Sequence, residues 1–260
     1  MRRHIPTIIT VILVIMTAAS GGYYYFLKNA NSVTKNSTTN PQTTNEIKKT
    51  NDNSNKSSPS NTTQEDINSL RGKTPDNISE PTLINGILLA NKKHPLPKNY
   101  NPGEDPTARA NVNRLIAEAQ SLGLNISNQV SGFRAYQTQV GLYNNYVAEH
   151  GKSEADKFSA RPGYSEHQTG LVFDLIDNDG QLLGSTGTSD SSKKAAEWLA
   201  NNAHKYGFIV RYKPEFTEKT GYIEESWHIR YVGNNVAREL FEKNISLEEY
   251  LNALGGDYIE

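Results

Sequence analysis

Two segments of the chain place histidines and carboxylates in or next to strand-like runs. His167 opens the stretch HQTGLVFD, which ends at Asp174 after an apolar run. Glu225 opens the stretch ESWHIRYV, in which His228 follows three residues later. A buried carboxylate is costly unless it is paired or binds a metal ion. By itself, the first segment is equally well explained by a structural His–Asp ion pair or by an aspartate that caps a loop. The second segment by itself is equally well explained by a half-buried strand that carries solvated charges.

Taken together, the two segments predict a metal site with catalytic chemistry. His167, Asp174 and His228 supply three ligands and leave a fourth position open, as in catalytic zinc sites. A nearby glutamate that does not bind the metal is the usual general base for water at such a site, and Glu225 is the candidate. Strict alternation along a strand puts Glu225 and His228 on opposite faces. Both residues can therefore reach one site only if the backbone turns or bulges near Ser226.

A third candidate residue, Arg134, lies in the stretch SGFRAYQTQ just before a predicted helix. Two interpretations are open at this point. Arg134 is either a surface residue, at a helix start where the dipole disfavours a cation, or a guanidinium directed at an anion in a cleft. In the second case it would hold a substrate carboxylate or a developing oxyanion.

The elements that must position these residues mix helices and strands without a regular βαβ repeat. Apolar spacing and turn residues predict helices between Pro106 and Gly123, at residues 136–150, at residues 191–206 and from Ser246 onward. Apolar runs predict strands at residues 170–176, 208–212 and 227–232, with a strand or short helix at 82–89. This pattern indicates an α+β domain and disfavours a doubly wound sheet.

The N-terminal zone, residues 1–27, is predicted to anchor the chain in the cell membrane. Its run from Ile5 to Leu27 is largely apolar, and its length suits a bilayer core of about 30 Å. Arg2 and Arg3 favour a cytoplasmic N terminus, so a single-pass anchor would place the rest of the chain outside the cell. A cleaved signal peptide is the alternative, because the small residues TAASG offer a cleavage site. The protein would then be secreted.

Two further zones follow the anchor. Residues 28–70 are rich in Asn, Ser, Thr and Lys and have few large apolar side chains, so we expect a disordered linker. Residues 71–260 carry all the candidate site residues. The formal net charge of −1 leaves no basic excess for nucleic acid. The chain has no cysteine, so any metal must be held by histidine and carboxylates.

The motifs resemble those of the zinc D-alanyl-D-alanine carboxypeptidases of the VanY and LdcB type. The resemblance rests on the stretches SGFR, SEHQTGLVFD and ESWHIRYV, which occur in that order. It covers roughly residues 83–254 and implies a small α+β zinc peptidase domain, with a central antiparallel sheet flanked by helices. The chain departs from the family pattern at Phe133, where tyrosine is common, and at Val172 and Phe173, where alanine is frequent.

The resemblance implies a role for each site residue. His167, Asp174 and His228 are expected to bind Zn²⁺. Glu225 is expected to act as the base, which takes a proton from the attacking water and passes it to the leaving amine. Arg134 is expected to stabilise the scissile carbonyl oxygen or the terminal carboxylate. The residues expected to contact the substrate are Gln139, Ser165 and Trp227, although Trp227 is equally well explained by packing of its strand.

The resemblance also implies a function. We expect a zinc metallocarboxypeptidase that removes the C-terminal D-alanine from peptidoglycan stem peptides, which is a DD-carboxypeptidase, and that acts as a monomer. The first alternative is an LD-carboxypeptidase, which cuts the L-Lys–D-Ala bond of tetrapeptide stems by the same chemistry. The second is a cell-wall-binding domain without catalysis. That domain would be expected to have lost Glu225 or a ligand, and none of these residues is missing.

Overall fold

The computed structural model describes residues 64–259, with side chains from residue 66 onward. The helices are α1 (Gln64–Leu70), α2 (Pro106–Ser121), α3 (Tyr136–His150), α4 (Lys152–Phe158), α5 (Asp190–Asn202), α6 (Thr217–Thr220), α7 (Asn234–Lys243) and α8 (Leu247–Leu251). The strands are β1 (Thr82–Ile84), β2 (Ile87–Leu89), β3 (Val130–Ser131), β4 (Val172–Leu175), β5 (Phe208–Tyr212) and β6 (Glu225–Tyr231). Short 3₁₀ helices cover Glu166–Thr169, Ala203–Tyr206 and Pro214–Phe216.

A four-stranded antiparallel sheet in the order β3-β4-β6-β5 organises the domain. Ser131 pairs with Asp174, and Asp174 pairs with His228. Directly opposed residues share a face of the sheet, so these three side chains form a polar row. Phe173 and Ile229, which alternate with them, lie on the other face and are fully buried in the main hydrophobic core.

The main core fills the space between the apolar face of the sheet and helices α2 and α5. Val112 and Leu115 of α2 and Leu199 of α5 are all 0% exposed. The side chain of Asp105 caps α2, and that of Ser189 caps α5. These caps satisfy backbone N–H groups that a helix start leaves without a partner.

A second, smaller core lies over part of the polar face. The β1–β2 hairpin contributes Leu89, and α7 and α8 contribute Leu240 and Leu247. Ile209 of β5, which pairs with Arg230 and so shares its face, packs against this cluster. The polar face is therefore covered at the β5 end and carries the polar row where β3, β4 and β6 meet.

The predicted α+β class, with an antiparallel sheet flanked by helices, is confirmed. Helix α3 has the predicted bounds and ends at Gly151, and the C-terminal helix begins with the predicted capping box at Ser246. The predicted third helix divides into α5 and a 3₁₀ turn that ends at Gly207. Helices α1, α4, α6 and α7 have no counterpart in the sequence-based prediction. The short α4 buries only Ala155, so its apolar pattern is weak.

Two predicted zones lie largely outside the described residues. The anchor at residues 1–27 and the predicted linker up to residue 63 belong to that part of the chain. The last seven residues of the predicted linker form α1. Within residues 64–259, no helix combines the length and apolar character that a membrane span requires.

Candidate metal centre and active site

The polar row and the loop before β4 bring the three candidate ligands together. His167 lies on the 3₁₀ helix before β4, and Asp174 of β4 pairs with His228 of β6. His167 Nε2 is 3.0 Å from Asp174 Oδ2, and His228 Nδ1 is 3.0 Å from Asp174 Oδ1. One potential ligand atom from each residue lies within 4.8 Å of the other two. No other such group of acidic residues and histidines occurs in the part of the chain that the structure describes.

A tight turn fixes His167 relative to β4. Ser165 Oγ accepts a hydrogen bond from the His167 N–H at 3.3 Å, which caps the 3₁₀ helix. Gly170 ends that helix with a φ of 75°, in the left-handed region. A Cβ atom at this position would lie 2.0 Å from Gly103 O. Only glycine fits both the conformation and the close approach.

Each histidine directs one ring nitrogen into the site and bonds the other to the surrounding protein. His167 Nδ1 is 2.8 Å from Gly132 O, and His228 Nε2 is 3.2 Å from Glu166 Oε2. A hydrogen bond at the outer nitrogen fixes the tautomer and the orientation of a metal-binding imidazole. His167 therefore offers Nε2 and His228 offers Nδ1. Two imidazole nitrogens and the Asp174 carboxylate form a donor set that suits Zn²⁺ with an open position.

Glu225 lies beside the ligands but is not one of them. Its Oε2 atom is 3.6 Å from His228 Nδ1. The β5–β6 register shifts between Val210 and Tyr212. Val210 pairs with Ile229 and Tyr212 pairs with Glu225, so two residues of β5 lie opposite a step of four residues in β6. This is a bulge in β6, and it confirms the irregularity predicted near Ser226. Because of the bulge, Glu225 and His228 reach the same site.

Burial and neighbouring charges shift the pKa values of the site. Burial, partly offset by His228 and reinforced by Asp174, raises the pKa of Glu225 to about 8. Burial lowers the pKa of His228, but hydrogen bonds to Asp174 and Glu166 outweigh this effect and raise it to about 9. Burial would raise the pKa of Asp174, but His167 and His228 hold it well below its usual range. A cation at this site would compete with the proton on His228.

Arg134 reaches the site from the end of β3. Its Nη2 atom is 3.8 Å from Asp174 Oδ2, and its backbone N–H donates to His167 O at 3.2 Å. Gln139 Oε1 accepts a hydrogen bond from Arg134 Nη1 at 3.0 Å, and Gln139 Nε2 donates to Ala160 O at 2.7 Å. These contacts hold a guanidinium beside the candidate ligands, where it can meet an anion.

The remaining predicted substrate contacts have structural partners. Gln139 is 2% exposed and holds Arg134, and Ser165 is 5% exposed and caps the 3₁₀ helix. Trp227 is half-buried, lies on the face opposite His228, and packs against the main core. Contact of these three residues with the substrate stays a prediction.

The surroundings of His228 include residues that the sequence analysis did not single out. The ring centroid of Tyr212 is 4.8 Å from that of His228. Glu166 accepts hydrogen bonds from Arg211 and Arg230 in addition to its contact with His228. The one sequence signal for this network is a glutamate directly before a predicted ligand in a buried stretch.

Comparison with known proteins identifies the family. The family described as "VanY: D-alanyl-D-alanine carboxypeptidase" matches residues 103–234. The putative carboxypeptidase YodJ of Bacillus subtilis (strain 168) is 32% identical over an alignment of 195 residues, and the match covers 67% of this chain and 69% of YodJ.

Solved structures agree with this assignment. The crystal structure of an L,D-carboxypeptidase, DacB from Streptococcus pneumoniae, matches with a TM-score of 0.61 and 52% identity, over 66% of this chain and 90% of DacB. A mutant of the D,D-pentapeptidase VanY from a VanB-type resistance cassette, in complex with Zn(II), matches with a TM-score of 0.55 and 32% identity, over 64% of this chain and 98% of that chain. The cofactor of the present protein is likewise zinc, in agreement with its donor set. The chain belongs to the VanY family of D-alanyl-D-alanine carboxypeptidases.

Proposed function

We propose that the protein is a zinc carboxypeptidase that removes the C-terminal D-alanine from peptidoglycan stem peptides. The observation that carries the proposal is the buried set His167, Asp174 and His228, with Glu225 Oε2 3.6 Å from His228 Nδ1. Membership of the VanY family supports the same reaction and substrate class. A wall-binding domain without catalysis is disfavoured, because the base and all three ligands are present.

The geometry divides the reaction among the residues of the chain. When bound, Zn²⁺ acts as a Lewis acid that makes water a nucleophile at neutral pH. Glu225, whose charged form a neighbouring Zn²⁺ would favour by lowering its pKa, accepts the proton of the attacking water and delivers it to the nitrogen of the leaving D-alanine. The water oxygen bonds to the carbonyl carbon as the C–N bond breaks. Arg134 donates hydrogen bonds to the carbonyl oxygen or to the terminal carboxylate of the substrate.

Two bond specificities share this chemistry. A DD-carboxypeptidase cuts D-Ala–D-Ala in pentapeptide stems, and the description of the VanY family supports this candidate. An LD-carboxypeptidase cuts L-Lys–D-Ala in tetrapeptide stems. The 52% identity to an L,D-carboxypeptidase, against 32% to a D,D-pentapeptidase, supports this second candidate.

The test is hydrolysis of both stems by the purified full-length protein, with product masses as the readout. DD activity converts pentapeptide to tetrapeptide, whereas LD activity converts tetrapeptide to tripeptide. A chelator should abolish either activity and added Zn²⁺ should restore it. Glu225→Gln should lower kcat by about 10²- to 10⁴-fold, while Glu224→Gln, at an exposed neighbouring position, should leave it unchanged. Hydrolysis that survives both chelation and Glu225→Gln would refute the mechanism.

We also propose that residues 1–27 anchor a monomeric enzyme in the cell membrane with its catalytic domain outside. The apolar run from Ile5 to Leu27 and the preceding Arg2 and Arg3 support this topology. Membrane fractionation, protease accessibility on intact cells and the mass of the detergent-solubilised protein test it. A soluble extracellular form that lacks the apolar run would instead establish signal cleavage.

A further inference from the structure

A buried cluster of four charged side chains lies behind the candidate ligand His228. We call it the Glu166 cluster, and it comprises Glu166, Arg211, Arg230 and Glu248. Each of these side chains is at most 2% exposed. Its two positive and two negative charges balance. Balanced, hydrogen-bonded pairs are the form in which charges are tolerated in a protein interior.

Glu166 is the member of the cluster that contacts His228. Its Oε2 atom is 3.2 Å from His228 Nε2. Its Oε1 atom accepts hydrogen bonds from Arg230 Nη1 at 2.8 Å and from Arg211 Nε at 3.1 Å. Two guanidinium groups thus fix one oxygen of the carboxylate, and the other oxygen faces the imidazole.

Glu248 belongs to the same cluster but bonds elsewhere. It accepts hydrogen bonds from Arg211 Nη1 at 3.0 Å and from Arg211 Nη2 at 2.5 Å. Asn91 Nδ2 also donates to it, at 3.0 Å. Glu166 and Glu248 therefore share Arg211 as a partner, and Glu166 also contacts Arg230 and His228, whereas Glu248 contacts Asn91.

We propose that Glu166 is a positioning residue for the zinc centre, which holds the His228 ring so that Nδ1 faces the metal. An imidazole that donates its Nε2–H to Glu166 carries its lone pair on Nδ1, and Nδ1 is the nitrogen that faces Asp174. This inference rests on the proposed zinc function.

The two histidine ligands differ in what orients them. His167 is oriented by a backbone carbonyl, Gly132 O at 2.8 Å, which no side-chain substitution removes. His228 is oriented by the side chain of Glu166. Loss of Glu166 should therefore weaken one ligand of the centre and leave the other in place.

Glu166→Gln and Glu248→Gln form a matched pair, because each removes one negative charge from Arg211 and only the first alters the partner of His228. Zinc affinity of the folded full-length proteins is measured by competition with a chromophoric chelator, alongside thermal unfolding. Glu166→Gln should weaken zinc binding about 10- to 100-fold. Glu248→Gln should bind zinc as the wild type does. Both variants should unfold at lower temperature, since each breaks a buried ion pair.

If Glu166→Gln does not fold, the double variant Glu166→Gln, Arg230→Met removes one charge of each sign and keeps Arg211 paired with Glu248. Its zinc affinity should fall by the same factor. Unchanged zinc affinity in a folded Glu166 variant, or an equal loss in Glu248→Gln, would overturn the positioning role. A wild-type protein that binds no zinc would refute the proposed function as well, so the two failures can be told apart.

Discussion

Replacing Gln139 with alanine tests whether this residue acts through Arg134 or touches the substrate itself. Gln139 is 2% exposed, and its Oε1 atom accepts from Arg134 Nη1 at 3.0 Å. Its Nε2 atom donates to Ala160 O at 2.7 Å. The substitution removes the partner that orients the guanidinium but keeps the guanidinium itself.

The expected size of the effect follows from that hydrogen bond. A hydrogen bond to a charged group contributes about 1.5–3 kcal/mol. If this energy holds Arg134 in its transition-state position, kcat/KM should fall by about 10- to 150-fold. The free energy of unfolding should also fall, by about 1–3 kcal/mol, because Ala160 O loses a buried partner. The kinetics must therefore be measured well below the melting temperature of the variant.

A double-mutant cycle decides between the two roles of Gln139. It compares kcat/KM for the wild type, Gln139→Ala, Arg134→Ala and the double variant on the stem peptide that the enzyme cleaves. If Gln139 acts through Arg134, the double variant should be as active as Arg134→Ala, with a coupling of about 1.5–3 kcal/mol. Gln137→Ala, at an exposed position of α3, is the control. Additive losses would refute the positioning role and favour direct substrate contact.

Three further perturbations test the turn, a buried histidine and the metal. Gly170→Ala should lower the free energy of unfolding by about 2 kcal/mol or more, because the backbone there has a φ of 75° and a Cβ would lie 2.0 Å from Gly103 O. Gly141→Ala is the control: it lies on α3 with open space around it, and it should stabilise the fold by about 0.5–1 kcal/mol. Burial lowers the pKa of His94 from 6.5 to about 4. The free energy of unfolding should therefore fall by about 3 kcal/mol as the pH drops from above 6.5 to 4, because the buried imidazole resists protonation. Melting curves of His94→Gln should therefore depend less on pH, and curves parallel to the wild type would contradict this. Zinc at 100 times its Kd should raise the free energy of unfolding by about 2.7 kcal/mol. A melting temperature that does not change on chelation, measured by calorimetry, would contradict zinc binding.

Local sequence patterns are sufficient to predict the helices and strands that carry the site. The helix at Tyr136–His150 ends where predicted because its stop signal, Gly151, comes from the residue directly after it in the chain. The apolar run around Asp174 likewise predicts an interior strand, and β4 is buried at every position. The conflict between strict alternation and a shared site for Glu225 and His228 was enough to predict the bulge.

The partners of the site residues needed the tertiary structure. The sequence resemblance assigns Gln139 to the substrate, and the fold adds the partners of its side chain, which are Arg134 and Ala160. The resemblance leaves open whether Trp227 lines the pocket or packs within its strand, and in the fold Trp227 packs against the main core. Neither outcome is encoded locally, because each depends on which side of a packed element faces the cleft.

The sequence by itself determined the chemistry: two histidines, one aspartate and one glutamate lie in or next to strand-like runs, where a buried charge is costly unless it is paired or binds a metal. Tertiary structure decided which nitrogen each histidine offers and what holds it there. Glu166 meets Arg211, 45 residues away, and His228, 62 residues away. The pairing of buried charges depends on strand register and on exclusion of water, and both arise only when distant segments pack together.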